Sequence, residues 1–269
     1  MDIVTAIVLG IVQGLTEFLP VSSSGHLVLT QKIFGVYAPG LFFDTMLHIG
    51  TLSAVFVVLW KDIWEILKKI IQPLTGYLII ATIPAVIFAL AFKDKIESAF
   101  ESGRFLGICF LITSALLVTA EQLAKRAEVK RSGENMNWID AVIIGIFQAI
   151  AIAPGISRSG ATISGALSRK LDRDFAARFS FLLSIPAILG ALVLQVKDIV
   201  KGEALSAAGE SIGALPIAFG TITAAIVGFF AVKLMLKIVR EKSLYGFAIY
   251  TAAIGILVII DQLVTRIIF

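Results

Sequence analysis

The stretch Gln13-Gly14-Leu15-Thr16-Glu17-Phe18-Leu19-Pro20-Val21-Ser22-Ser23-Ser24-Gly25-His26 carries the apolar run Ile3–Leu19 into a proline and three serines. Apolar sequence then resumes for only about ten residues. The same event recurs where Trp138–Ala153 breaks at Pro154-Gly155-Ile156-Ser157-Arg158-Ser159-Gly160 and ends at Arg169-Lys170. A helix needs about 20 apolar residues to cross a hydrocarbon core of about 30 Å. At 1.5 Å per residue, each short second arm covers roughly half of that. Both regions therefore read as re-entrant helical hairpins with their tips inside the bilayer. Broken backbone at that depth is tolerated only beside protein or an aqueous cavity, so each tip is predicted to line one.

The two hairpins are copies. A shift of 135 residues, about half of the 269, places Ala6 on Ala141, Gly10 on Gly145, Ile11 on Ile146 and Gln13 on Gln148. It also places Ser22 on Ser157, Ser24 on Ser159 and Gly25 on Gly160. Seven identities fall in the twenty positions Ala6–Gly25, where composition alone gives roughly one or two.

The surrounding sequence is built for a membrane. The chain is 58% apolar and 16% charged, against about 25% charged in soluble domains, and its mean hydropathy is +0.96. A soluble enzyme and a disordered chain are both excluded. Six further stretches suit transmembrane helices: Leu41–Trp60, Tyr77–Phe92, Phe105–Ala120, Phe179–Val196, Ala214–Leu236 and Tyr245–Leu263. The expected fold is thus all-α, a polytopic membrane protein with six transmembrane helices plus two re-entrant hairpins. It forms a single membrane domain over 1–269, with repeat one at about 1–122 and repeat two at about 136–269. Three crossings per half make the repeats inverted in topology.

Charge supports this. Fifteen Lys and Arg, from Lys61 through Arg131, Arg169 and Arg178 to Lys242, fall on one side. Seven fall on the other: Lys32, Lys93, Lys95, Arg104, Lys197, Lys201 and Arg266. The positive-inside rule makes the first side cytoplasmic and both termini external. The net charge of +4 is dispersed in short runs, so no nucleic-acid partner is expected; membrane lipids are. Lone Cys109 excludes an intrachain disulfide, and Met1-Asp2-Ile3 lacks the basic start of a cleaved signal peptide.

Ionisable groups inside a membrane are functional candidates by default. The first tip supplies Glu17, His26 and three serines, with Gln13 one turn before Glu17. The second supplies Arg158 between Ser157 and Ser159, with Thr162 one turn on. A Gly/Ser tip opening a helix is an anion cradle, and Arg158 makes phosphate the obvious anion. Arg with amides for charge, a Ser or His nucleophile and a carboxylate are what phosphoester hydrolysis needs. Plainer readings stand beside these. The serines can be N-caps, His26 can cap its hairpin, Glu17 can bind freed backbone, and Arg158 can simply pair with Glu17. Asp44 and His48, one turn apart, read as a polar core pair or as residues supporting the site.

The first motif, Gln13 to His26, and the second, Pro154-Gly155-Ile156-Ser157-Arg158-Ser159-Gly160-Ala161-Thr162, resemble the two signatures of the undecaprenyl-diphosphate phosphatase family of bacitracin-resistance proteins. The resemblance covers essentially the whole chain. Many relatives have Glu at the position of Gln13, so a metal site here leans harder on Glu17. The resemblance implies hydrolysis of undecaprenyl diphosphate to undecaprenyl phosphate and inorganic phosphate, which recycles the carrier for cell-wall synthesis. It implies catalytic roles for Glu17, Ser23, His26 and Arg158. Substrate contacts would come from Ser22, Ser24, Gly25, Ser157, Ser159, Gly160 and Thr162. It also implies a divalent cation, Mg²⁺ or Ca²⁺, on Glu17 and Gln13. Either Ser23 attacks with His26 as base, or His26 attacks. The partner is a polyprenyl diphosphate lipid, and a homodimer is left open. The setting is the cytoplasmic membrane, with the site facing outside. The competing class is a secondary transporter or flippase for a phosphate-bearing lipid or organic anion, because inverted repeats with broken helices are transporter architecture.

Overall fold

The structure is a computed structural model that describes residues 1–36, 41–127, 129–200 and 212–269. Of the residues used above to assign sidedness, Lys201 lies outside them.

Among the described residues the fold is all-helical, with no strand beyond an isolated bridge between Arg131 and Leu171. The first broken region gives α1 (Ile3–Thr16) and α2 (Ser23–Ile33), followed by α3 (Leu41–Val58) and α4 (Trp60–Lys68). Then come α5 (Pro73–Ala91), α6 (Lys93–Ser102) and α7 (Leu106–Arg126). The second broken region gives α8 (Trp138–Ile150) and α9 (Arg158–Ser168), followed by α10 (Arg173–Val200), α11 (Ala214–Glu241) and α12 (Tyr245–Ile260). Five helices are long and apolar enough to cross a membrane, and α3 with α4 makes a sixth if that pair, bent by 79°, is one span. Helices α4 and α6 were not expected. Both are short and alternate charged with apolar residues, so neither shows as an apolar run.

Local chemistry sets the ends. Asp2 caps α1 by accepting from Thr5 N at 2.7 Å, and Asn137 with Asp140 forms a capping box on α8. Pro73 opens α5 at its first turn, where the missing N–H costs nothing.

Packing crosses between the two halves. Helix α1 lies on α11, and α8 lies on α5. A Cβ on Gly10 would stand 2.5 Å from the Gly220 carbonyl oxygen, and one on Gly145 would stand 2.7 Å from that of Ala81. These glycines are superposed by the 135-residue shift, and each permits a backbone approach that a side chain would block. Outward faces stay apolar, as in Ile79, Val86 and Ile87 of α5 and Phe219, Ile222 and Ile226 of α11. Lipid, rather than water, is the solvent such faces require.

Away from the helix breaks, the described residues hold two further sets of polar contacts. In one, Asp140 binds Arg131 and Arg169, Glu121 binds Arg173, and Arg178 binds Asp62 and Asp174. In the other, Asp261 caps the C-terminal backbone of Ile267, Ile268 and Phe269, Gln262 donates to Gly103 O, and Lys32 lies over the Phe269 ring.

Candidate functional site

The two helix breaks meet. Ser22 caps α2 by accepting from Gly25 N at 3.2 Å, and Ser157 caps α9 by accepting from Gly160 N at 3.0 Å. Each cap hydroxyl also contacts the serine two residues on, Ser24 at 3.3 Å and Ser159 at 3.2 Å. Ser22 holds φ at +74°, a left-handed conformation that a Cβ-bearing residue rarely adopts. The contacts between breaks are reciprocal. Ser24 Oγ accepts from Gly155 N at 3.5 Å, while Ser159 Oγ donates to Leu19 O at 3.1 Å. A Cβ on Gly25 would meet Gly155, and one on Gly160 would meet Pro20. Thr113 of α7 steadies the second break, donating to Gly155 O and accepting from Ser157 N.

Glu17 sits at this junction, 5% exposed. Its Oε1 pairs with Arg158 Nη2. Its Oε2 accepts from Ser23 Oγ at 2.6 Å and from Gln13 Nε2 at 3.0 Å, and His48 Nδ1 stands 3.3 Å from it. Gln13 Nε2 is also 2.7 Å from His48 Nδ1. The carboxylate is therefore surrounded by donors, as a buried charge must be. Access is from the Arg158 and His48 side, whose side chains are 20% and 30% exposed.

The candidate residues divide. Gln13, Glu17, Ser23 and Arg158 come together. His26 does not join them by hydrogen bonds: its Nδ1 bonds Ser22 O at 2.7 Å and its Nε2 bonds Tyr250 OH at 2.8 Å, with the two rings stacked. The Ser23 hydroxyl goes to Glu17 rather than to His26. Thr162 faces Ser180 of α10 at 2.6 Å and is buried. Ser22, Ser157, Ser159, Gly25 and Gly160 shape the two breaks. Asp44 takes a hydrogen bond from Gln31 at 3.0 Å, while His48 turns to Glu17, so the two are not a mutual hydrogen-bonded pair. From sequence His48 read with Asp44 as a core polar pair or as support for the site; the structure sets its Nδ1 3.3 Å from Glu17 Oε2.

Residues 6–257 match the family described as Bacitracin resistance protein BacA. The chain belongs to that family. This BacA-family chain is 46% identical over 262 residues to undecaprenyl-diphosphatase 4 of Bacillus cereus, covering 97% of this chain and 98% of that protein. It is equally similar, at 46% over 262 residues, to the undecaprenyl-diphosphatase of Carboxydothermus hydrogenoformans, with the same coverage of 97% and 98%. An archaeal relative, the undecaprenyl-diphosphatase of Methanosphaera stadtmanae, is 40% identical over 286 residues, covering 98% of this chain and 99% of its own.

Proposed function

We propose that this membrane protein hydrolyses undecaprenyl diphosphate to undecaprenyl phosphate and inorganic phosphate. One observation carries the reading: a hydroxyl and a guanidinium, one from each break, converge on a single buried carboxylate. Relatives at 40–46% identity over nearly the whole chain carry the matching name.

The chemistry follows from that carboxylate. Arg158 leaves Glu17 to clasp the diphosphate, for which a guanidinium offers two parallel donors. Glu17, released from its ion pair, takes the proton of Ser23 as Ser23 Oγ attacks the terminal phosphorus. The bond from that phosphorus to the bridging oxygen breaks, and lipid monophosphate departs with the bridging oxygen. Water then attacks the phosphoserine, inorganic phosphate leaves, and the proton on Glu17 returns to Ser23. His26, held between Ser22 and Tyr250, fixes the start of α2 and so the aim of Ser23.

A divalent cation fits this donor set. Gln13 Oε1 is buried without a hydrogen-bond partner, on the same amide whose Nε2 faces the Glu17 carboxylate. Mg²⁺ and Ca²⁺ take carboxylate and amide oxygens together with substrate phosphates. Glu17 and Gln13 would hold such an ion, which supplies charge neutralisation at the diphosphate.

The architecture we infer is two inverted repeats with re-entrant hairpins. Supporting it, Asp140 at the start of α8 binds Arg169 at the end of α9, so that unit begins and ends at one place. Met1 and Ile217 pack in the cluster at the start of α1, away from the Arg173 and Lys242 contact at the far end of α11. The first hairpin then opens from outside, where the site receives its substrate. The lipid tail lies between helices in an apolar cleft of about 540 Å³ lined by Phe105, Ile146, Pro154 and Ile156, adjoining the second break.

The test is phosphate release from a polyprenyl diphosphate by purified protein, with and without chelator. Turnover that Glu17→Ala abolishes in a folded variant supports the reading. Reciprocal breaks also suit a transporter, and substrate-dependent lipid movement in vesicles without phosphate release would favour that class instead.

A further inference from the structure

Gln13 is fully buried, yet only one end of its amide is used. Nε2 stands 3.0 Å from Glu17 Oε2 and 2.7 Å from His48 Nδ1, while Oε1 has no hydrogen-bond partner. An amide nitrogen carries two hydrogens, so one can serve the carboxylate and the other the imidazole lone pair. In the Nε2–H tautomer of His48, those two N–H groups hold together a pair of electron-rich atoms only 3.3 Å apart. Turning the amide over would bring a third lone-pair atom to the same point. Three converging acceptors repel one another unless a cation lies among them. An unsatisfied buried acceptor calls for an explanation, and a cation supplies one.

We propose that His48 is a nitrogen ligand of a cation site completed by Glu17 and Gln13, and that the Gln13 amide turns over when the ion binds. This rests on the phosphatase reading for its remaining ligands, the substrate's phosphate oxygens. The donor set is one carboxylate, one amide oxygen and one imidazole. Mg²⁺, Ca²⁺ and Mn²⁺ favour oxygen donors, which Glu17, Gln13 and the phosphates supply, and the imidazole adds one nitrogen. Without substrate Arg158 lies on the other carboxylate oxygen, Oε1, and leaves the His48 side open to the ion.

The test uses the untagged full-length protein in detergent, titrated with Mn²⁺ alone and followed by electron paramagnetic resonance. The chain has two histidines, and both ring nitrogens of His26 are taken by Ser22 O and Tyr250 OH. Nitrogen-14 modulation from one bound imidazole therefore reports His48. The expected result is that modulation in the wild type and its loss in His48→Ala, with Mn²⁺ affinity falling about tenfold or more. Gln13→Ala should weaken Mn²⁺ binding while keeping the nitrogen signal. Gel filtration of the metal-free variants checks folding, and His48→Leu replaces the alanine variant if that one aggregates. Bound Mn²⁺ without imidazole modulation, modulation that survives loss of His48, or no Mn²⁺ binding would each overturn the assignment. Phosphate release is measured on the same sample: its absence beside nitrogen-bound Mn²⁺ defeats the phosphatase reading and leaves the ligand assignment standing.

Discussion

Ser23 and Arg158, which the 135-residue shift superposes, bind opposite oxygens of one carboxylate, that of Glu17. Each is the first residue of the helix that follows its break. The position that the shift superposes is thus a hydroxyl in one half and a cation in the other, and both are aimed at the same acid.

That relationship predicts a non-additive pair of variants. Arg158→Ala strands the Glu17 charge, and removing one partner of a buried pair costs about 3–5 kcal/mol. Glu17→Gln removes the charge at its source, so the double variant Glu17→Gln with Arg158→Ala should melt higher than Arg158→Ala alone. Thermal unfolding in detergent measures this. Both single variants should release phosphate at least about 100-fold more slowly than the wild type, the loss expected when a positioned base (Glu17) or the charge that stabilises the reacting phosphate (Arg158) is removed.

Ser23 donates to Glu17, whereas both His26 nitrogens are engaged elsewhere. Phosphate trapped on the enzyme during turnover should therefore be acid-stable, as on serine, and absent from Ser23→Ala. Acid-labile phosphate on His26 would reverse the assignment of nucleophile. Tyr250→Phe keeps the stacked ring but loses one hydrogen bond, worth about 0.5–1.5 kcal/mol. It should reduce turnover by about tenfold at most, read as kcat.

Gly10→Ala and Gly145→Ala should destabilise the fold by similar amounts. Each new methyl would fall within 2.5–2.7 Å of a carbonyl oxygen on the facing helix, and overpacking of this kind costs about 1–3 kcal/mol. Gly246→Ala, on α12 with nothing within 4 Å, should be neutral or stabilising. Melting temperatures of the three variants, compared side by side, check the contrast.

Asp140 has a side chain with no exposure and accepts from Arg131, Arg169 and the backbone of Asn137. Asp140→Asn should loosen both ends of the α8–α9 unit together. Amide exchange should accelerate at the starts of α8 and the ends of α9, with α1 and α2 unaffected. Acceleration confined to α8 would show that Arg169 does not depend on this carboxylate.

Much of this was legible in the residues. The breaks at Pro20 and Pro154, the matched Ser-x-Ser-Gly caps and the apolar spans are local patterns, and local patterns survive in one dimension. The amphipathic α4 and α6 were not legible, because short helices that mix charge with apolar residues carry no spanning signal. The partners of Glu17 were legible only as candidates. Gln13 and Glu17 share a helix face, but His48 arrives from another helix and Arg158 from the other half of the chain, and no spacing rule joins them. The placement of His26 was not legible for the converse reason: its closeness to Ser23 in sequence says nothing of where an imidazole points, and its Nε2 meets Tyr250 on the last helix.

The crossed packing of α1 on α11 and of α8 on α5 has a consequence for how the chain is made. When the ribosome has delivered only the first half, Gly10 has no Gly220 to approach and Ala81 waits for Gly145. Neither half can settle before its counterpart arrives. The two halves are interlocked rather than stacked as modules in series, and halves synthesised separately would find their stable form only in each other's company.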